Sequence, residues 1–253
     1  ASATVGPIFP PSIPMVIYAM LSGASIGKLF MGGMVPGVLL AILLMIYVAF
    51  ISHKRNYPAG VVMSKREFLK ATLQALPALF TVVILLGGIY SGICTPTEAG
   101  AVASAYALII SALIYKTLGW KKLWGIIKKS AANTATLALL CGTSMLFSYI
   151  ISLEQVPRVV ASLVMGITDN KYIFLFIVNI VFLLLGCVLD VSTIQLVFVP
   201  MVLPLVQAMG IDLVHFGVVI CLNMMIGLST PPFGMLLFIV SGLGKTKIKG
   251  VIR

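Results

Sequence analysis

The sequence predicts an all-α membrane protein: a polytopic helical bundle with inverted repeats, a re-entrant helical hairpin and two broken helices. Three observations predict it. Hydrophobic residues make up 60% of the 253 positions and charged ones 9%, with a mean hydropathy of +1.16, a balance that a water-facing globular domain does not sustain over its whole length. Apolar runs approaching the ~20 residues needed to cross a bilayer recur along the chain. Within this apolar sequence stand two copies of one helix-breaking pattern, "GPIFPPSIP" from Gly6 and "GLSTPPFG" from Gly227, in each of which a glycine precedes a proline pair by four positions.

Taken in order, the chain opens "ASATVG", without Met and already apolar, and shows no signal peptide; the reading expects a longer protein upstream. Residues 1–30 form the broken helix of a first repeat. "GASIGKLFMGG", Gly23 to Gly33, reads as a glycine-punctuated connection with Lys28 at the interface, and it lacks the GxxxxGK[ST] order of a phosphate loop. Residues 31–130 read as scaffold or arm helices, with apolar runs at Met34–Ile51, Leu76–Tyr90 and Thr97–Tyr115. Residues 131–253 read as the second repeat: a span at Ala131–Ile151, an amphipathic stretch at Glu154–Thr168, a hairpin over 172–209 and a broken helix over 214–243.

The net charge is +11, and 14 of the 17 Lys and Arg residues sit in three clusters: Lys54, Arg55, Lys65, Arg66 and Lys70; Lys116, Lys121, Lys122, Lys128 and Lys129; and Lys245, Lys247, Lys249 and Arg253. Bases confined to short connections between apolar runs follow the positive-inside rule, which puts all three clusters on the cytoplasmic side. No polar face carries them, so the footprint needed to bind nucleic acid is absent and the lipid bilayer is the partner. Only "DVST", Asp190 to Thr193, separates the two halves of the hairpin. Counting spans gives the same final side for a full hairpin and for a re-entrant one; the reading adopts re-entrant.

Backbone groups freed by a helix break are expensive in lipid, and non-helical backbone persists at depth only against protein or a water-filled cavity. In transporters such breaks hold ions and substrates at corresponding places of an inverted repeat. The alternative is a pair of structural kinks, and the matched spacing favours the binding site. The hairpin ahead of the second motif should have a counterpart ahead of the first, where only "ASATV" stands, so that partner is expected upstream. Gly186 suits the end of one half-helix and Asp190 or Ser192 the cap of the next. An acid in an apolar region is a functional candidate, and Asp190 is equally readable as a plain cap. The positive end and free amides of the second half-helix suit a carboxylate.

In "TPTEAGA", Thr95 to Ala101, the threonine, proline and Glu98 fit a capping box, with proton or ion handling by Glu98 as the second reading. Cys94, Cys141, Cys187 and Cys221 lack metal-ligand spacing and read as small apolar residues, and His53 and His215 stand alone. No transition-metal site is expected. Nor is enzymatic activity: a second carboxylate for an intramembrane aspartyl protease, a GxSxG nucleophile and zinc ligands are all missing from the pattern.

At these motifs the chain resembles the large membrane subunit of the tripartite ATP-independent periplasmic (TRAP) transporters, the family typified by C4-dicarboxylate and sialic acid systems. The segments that carry the resemblance run through the whole sequence: "PPSIPMVIYAMLSGASIGKLFMGGMVPG", "GGIYSGICTPTEAGAVASAYAL", "LEQVP", "LDVSTIQLVFVPMVLPL", "GIDLVHFGVV" and "NMMIGLSTPPFGMLLF". It covers the C-terminal half or somewhat more of the family's subunit. The resemblance implies an elevator-type secondary transporter of the bacterial inner membrane, like others of the ion-transporter superfamily. It implies import of an organic acid with sodium as the coupling ion and no other cofactor. Its implied partners are a small four-helix membrane subunit and a periplasmic substrate-binding protein. It further implies one sodium site at Gly186, Gly227, Thr230 and Phe233, a symmetric one at Gly6, Phe9 and Ser12, and a substrate path at Asp190, Ser192, Thr193, Pro11 and Pro231. The competing expectation is an ion or carboxylate transporter or channel of the same superfamily that works without a binding protein.

Overall fold

The computed structural model describes residues 4–56, 64–166, 168, 170–231 and 234–244, which form ten α-helices. In chain order these are α1 (Ile13–Ser22), α2 (Ile26–Lys54), α3 (Lys65–Tyr90), α4 (Pro96–Leu113), α5 (Trp120–Leu153), α6 (Val156–Met165), α7 (Lys171–Gly186), α8 (Val191–Ala208), α9 (Leu213–Leu228) and α10 (Met235–Gly244). Among the described residues, α2, α3, α4, α5 and α8 are long and apolar enough to cross a membrane. The 16-residue α7 and α9 rise only about 24 Å each, short of the ~30 Å hydrocarbon layer. The terminal bases Lys245, Lys247, Lys249 and Arg253 lie outside the described residues.

Two expectations are corrected. The stretch from Gly23 to Gly33 is a connection only as far as Ser25; from Ile26 it is helix. Glycine lowers helix propensity in water, but here Gly33 and Gly37 give α2 a smooth face. A Cβ on Gly33 would overlap the Met15 side chain and lie 3.0 Å from the Ile8 carbonyl, and one on Gly37 would lie 3.4 Å from Phe9. Small residues that admit close packing outweigh propensity in a membrane. The second correction concerns the basic connections. Lys65, Arg66 and Lys70 stand on the first turns of α3, and Lys121, Lys122, Lys128 and Lys129 on those of α5, because helices longer than the apolar layer carry their charges out to water.

The chain divides into two compact units. The unit of residues 45–138 is built on the α3–α4 pair. Thr95 caps α4 with the expected box: its Oγ1 accepts from the Glu98 amide at 3.3 Å, and Glu98 Oε2 accepts from the Thr95 amide at 2.8 Å. Two tyrosines of the α4 region fasten it to α3, the Tyr106 hydroxyl donating to the Pro77 carbonyl at 3.1 Å and Tyr115 to the Gln74 carbonyl at 2.7 Å. Most large apolar side chains of this unit are exposed, as lipid-facing surfaces are.

The other unit, residues 1–44 and 139–253, holds the tightest core. Met15, Tyr18, Leu29, Phe174, Phe182, Ile194, Phe216, Ile220 and Met224 are all essentially inaccessible. Tyr18 of α1 enters it because Gly217 of α9 has no side chain; a Cβ there would overlap the tyrosine ring and lie 2.8 Å from Leu29 Cδ2. The Tyr18 hydroxyl is satisfied by the Leu213 carbonyl at 2.7 Å. Helices α7 and α9 are joined by a polar pair: Asn223 Nδ2 donates to the Asn179 carbonyl at 2.6 Å and to Asn179 Oδ1 at 2.8 Å. Asn179 Nδ2 in turn donates to the Leu175 carbonyl at 2.7 Å.

Gly217→Ala is expected to cost about 1–3 kcal/mol by overpacking, while Gly100→Ala in α4, where nothing lies within 4 Å, should be neutral or stabilising by ~0.5–1 kcal/mol. Thermal unfolding in detergent separates them, and equal shifts for both would contradict the packing account. A double-mutant cycle on Asn179→Ala and Asn223→Ala should give a coupling of about 0.6–1.7 kcal/mol, the range of interhelical side-chain bonds in membranes; zero coupling would reduce the pair to a backbone contact.

Candidate functional site

The hairpin tip and the second break meet end to end. Helix α7 closes at Gly186, with the Cys187 amide turning back to the Leu183 and Leu184 carbonyls. Helix α9 closes at Leu228. There the Thr230 amide donates to the Gly227 carbonyl at 2.8 Å, and the hydroxyls of Ser229 and Thr230 both donate to the Ile226 carbonyl at 2.8 Å. Gly186 and Gly227 bring the two ends together. A Cβ on Gly227 would lie 2.9 Å from Gly186 Cα and 3.0 Å from the Leu183 carbonyl oxygen, and one on Gly186 would lie 3.2 Å from Gly227 Cα. The Gly234 amide then donates to the Cys187 carbonyl at 3.2 Å, tying the chain beyond the break to the hairpin. Two helix C-termini, each the negative end of its dipole, thus converge in one place.

The first break is organised by Ser12. Buried at 1% exposure, it caps α1 by accepting from the Met15 amide at 3.3 Å and donates its own hydroxyl proton to the Pro7 carbonyl. Ahead of it the chain turns on the Ile8 and Phe9 amides, both donating to the Val5 carbonyl. Proline supplies no backbone donor, so a serine hydroxyl is what satisfies this loop.

A cavity of about 430 Å³ lies where these parts adjoin. Its lining comes from the first break (Gly6, Pro7, Pro11) and the start of α1 (Ile13, Pro14), from the hairpin tip (Asp190, Val191, Ser192), and from Met225, Leu228 and Leu236 beside the second break. Two helix N-termini, those of α1 and α8, therefore border one cavity, and these are positive dipole ends. Asp190 is the N-cap of α8, its Oδ2 accepting from the Ser192 amide at 2.9 Å. Among the described lining residues it is the one acidic side chain, and none is cationic.

The residues singled out in the sequence fall into groups. Gly6 and Pro11 share the cavity with Asp190 and Ser192, and Gly186 and Gly227 touch each other, with Thr230 three residues on. Phe9 packs against Gly37, and Ser12 is committed to its cap. Thr193 and Pro231 are exposed and line no part of the cavity. Phe233 lies outside the described residues. Sequence reasoning missed the Asn179–Asn223 pair and the weight carried by Gln195. Gln195 is fully buried in α8, its Nε2 donating to Cys221 Sγ at 3.3 Å while its Oε1 has no partner among the described residues. Polar residues inside apolar runs were the available signal.

The whole chain, residues 1–253, matches the family described as "Tripartite ATP-independent periplasmic transporter, DctM component". It is 43% identical over 244 residues to the sialic acid TRAP transporter large permease protein SiaM of Vibrio cholerae, covering 96% of this chain and 57% of that protein. It is 38% identical over 252 residues to the C4-dicarboxylate TRAP transporter large permease protein DctM of Pseudomonas aeruginosa, covering 100% of this chain and 59% of the relative. A third similar protein is the sialic acid TRAP transporter permease protein SiaT of Haemophilus influenzae, 38% identical over 253 residues, 100% of this chain and 41% of that one. The chain thus spans less than three-fifths of the length of these relatives. It belongs to the DctM component family of the tripartite ATP-independent periplasmic transporters, a multi-pass protein of the bacterial inner membrane whose relatives are transport permeases and not enzymes.

Proposed function

We propose that this chain is part of a sodium-coupled importer of an organic acid, of the class of sialic acid or C4-dicarboxylates, which a periplasmic binding protein delivers and a small membrane subunit helps to transport. The observation that carries the reading is the cavity shared by the first break and the hairpin tip, bordered by two helix N-termini and without a cationic side chain. Oriented amides and positive dipole ends favour a carboxylate. Asp190 opposes one. An anion is therefore held well only when a cation offsets that charge, and the paired C-termini of α7 and α9 at Gly186 and Gly227 offer carbonyl oxygens and negative dipole ends of the kind that hold sodium. Each ion then raises the affinity for the other by the same factor, which is the thermodynamic content of symport. Movement of the hairpin unit as a body, in the elevator manner, would carry both.

The test is uptake by the full-length transporter in proteoliposomes, with its small subunit and binding protein, an inward sodium gradient, and labelled sialic acid and C4-dicarboxylates. Uptake that needs both sodium and the binding protein is expected; full-rate uptake without either would sink the coupling mechanism and favour a transporter or channel that needs no binding protein. Thr230→Ala, which removes a hydroxyl from the second break, is expected to raise the sodium concentration for half-maximal uptake about fivefold, the size of one lost hydrogen-bonding group, with membrane insertion unchanged. Sodium activation identical to the parent's would remove Thr230 from the site.

A further inference from the structure

A second cleft, of about 720 Å³, lies between the first turns of α3 and the end of α4, within the unit of residues 45–138. Its floor is apolar, made by Leu69, Leu73, Pro77 and Ile114, and its rim carries Arg66 and Lys70. These two cations stand four residues apart on α3, hence on one face. Glu67 lies between them in sequence but its carboxylate accepts from the Ser64 amide at 3.0 Å, within the cap of α3. Among the described residues neither Arg66 nor Lys70 takes part in an ion pair.

Depth follows from length. Helix α3 has 26 residues, about 39 Å, which exceeds the ~30 Å apolar layer by roughly six residues. Its charged first turns occupy that excess, so Arg66 and Lys70 stand at headgroup level with Leu73 and Pro77 in the hydrocarbon below. Tyr115, its hydroxyl bonded to the Gln74 carbonyl, fixes the opposite wall at the level of Leu73 and Pro77, directly before Lys116 of the second basic cluster. Bases gathered at this end mark the cytoplasmic side, the leaflet in which anionic lipids attract basic segments.

We infer that this cleft binds an anionic phospholipid, its phosphate held between Arg66 and Lys70 and an acyl chain lying along Leu69, Leu73 and Pro77. Charge and apolarity are arranged along the cleft as they are along a phospholipid. The larger cleft between α4 and α5, about 920 Å³, has no charged residue among its described lining residues and lacks that match.

The test uses the full-length permease assembled in its membrane complex, extracted into detergent and mixed with equal phosphatidylglycerol and phosphatidylcholine, with retained lipid read by native mass spectrometry. The parent protein should prefer phosphatidylglycerol, and Arg66→Gln with Lys70→Gln should lower that preference about tenfold or more, the effect of two interfacial cations. Leu73→Trp, which fills the cleft and keeps both charges, should also reduce retention, whereas Lys121→Gln with Lys129→Gln, neither of which lines the cleft, should not. Unchanged preference in the first double variant overturns the inference. So does an equal loss in the second, which would make the effect one of general surface charge. Dissociation of the small membrane subunit from the first variant, with lipid retention intact, would instead make the cleft a protein interface and likewise overturn it.

Discussion

The constraint on which this structure depends is that a peptide group released from a helix inside a membrane must find another partner. An unmet carbonyl or amide costs several kcal/mol in hydrocarbon, so a sequence that breaks its helices must supply the replacements locally. Here each interruption does so with its own means. Ser12 answers the proline-rich loop before α1, Asp190 the start of α8, and the hydroxyls of Ser229 and Thr230 the end of α9. None of these groups is long or flexible, and each bonds within a few residues of itself, so the breaks are shaped mainly by local bonds, to which the second adds the bond from the Gly234 amide to the Cys187 carbonyl.

That local satisfaction leaves the helix ends free to be packed by backbone. At Gly186 and Gly227 main chain meets main chain, and the Asn179–Asn223 bonds hold the same two helices together further back. The two features are complementary. Glycines permit approach but supply little energy, while the asparagine pair supplies direction and register. Hydrophobic attraction cannot do this between helices already surrounded by lipid, which explains why the most buried part of the protein also contains buried polar side chains, Gln195 and Asn223 among them.

Much of this was legible in the sequence because the relevant signals are local. Proline pairs mark the breaks, Thr95-Pro96 with Glu98 marks the start of α4, and "DVST" marks the hairpin tip, all through chemistry that acts over three or four residues. What escaped were features that depend on a distant partner. The start of α2 at Ile26 was hidden because its glycines look like helix breakers until Met15 and Phe9 are packed on them. Gly217 has meaning only once Tyr18 occupies its place, and Asn179 only opposite Asn223, 44 positions away. Single polar residues in apolar runs announce that a partner exists without identifying it.

The polarity of the four helix ends bears on how tightly an acid would be held. Were an arginine in the cavity, a carboxylate would find a fixed counter-charge and bind in every state of the protein alike. A transporter must instead release its cargo, and binding has to be weak enough, or conditional enough, to permit departure. Two N-termini offset by Asp190 give a cavity of nearly balanced charge, while the carbonyl-rich meeting of α7 and α9 lies close by along the chain, joined to it through residues 186–192 and through Leu228. Under the transport reading, a cation bound at that junction shifts the balance toward the anion, and its loss shifts it back. Conditional affinity of this kind requires no moving charged side chain, only helix ends that are rigidly placed, and rigid placement is what the caps and the glycine contact provide.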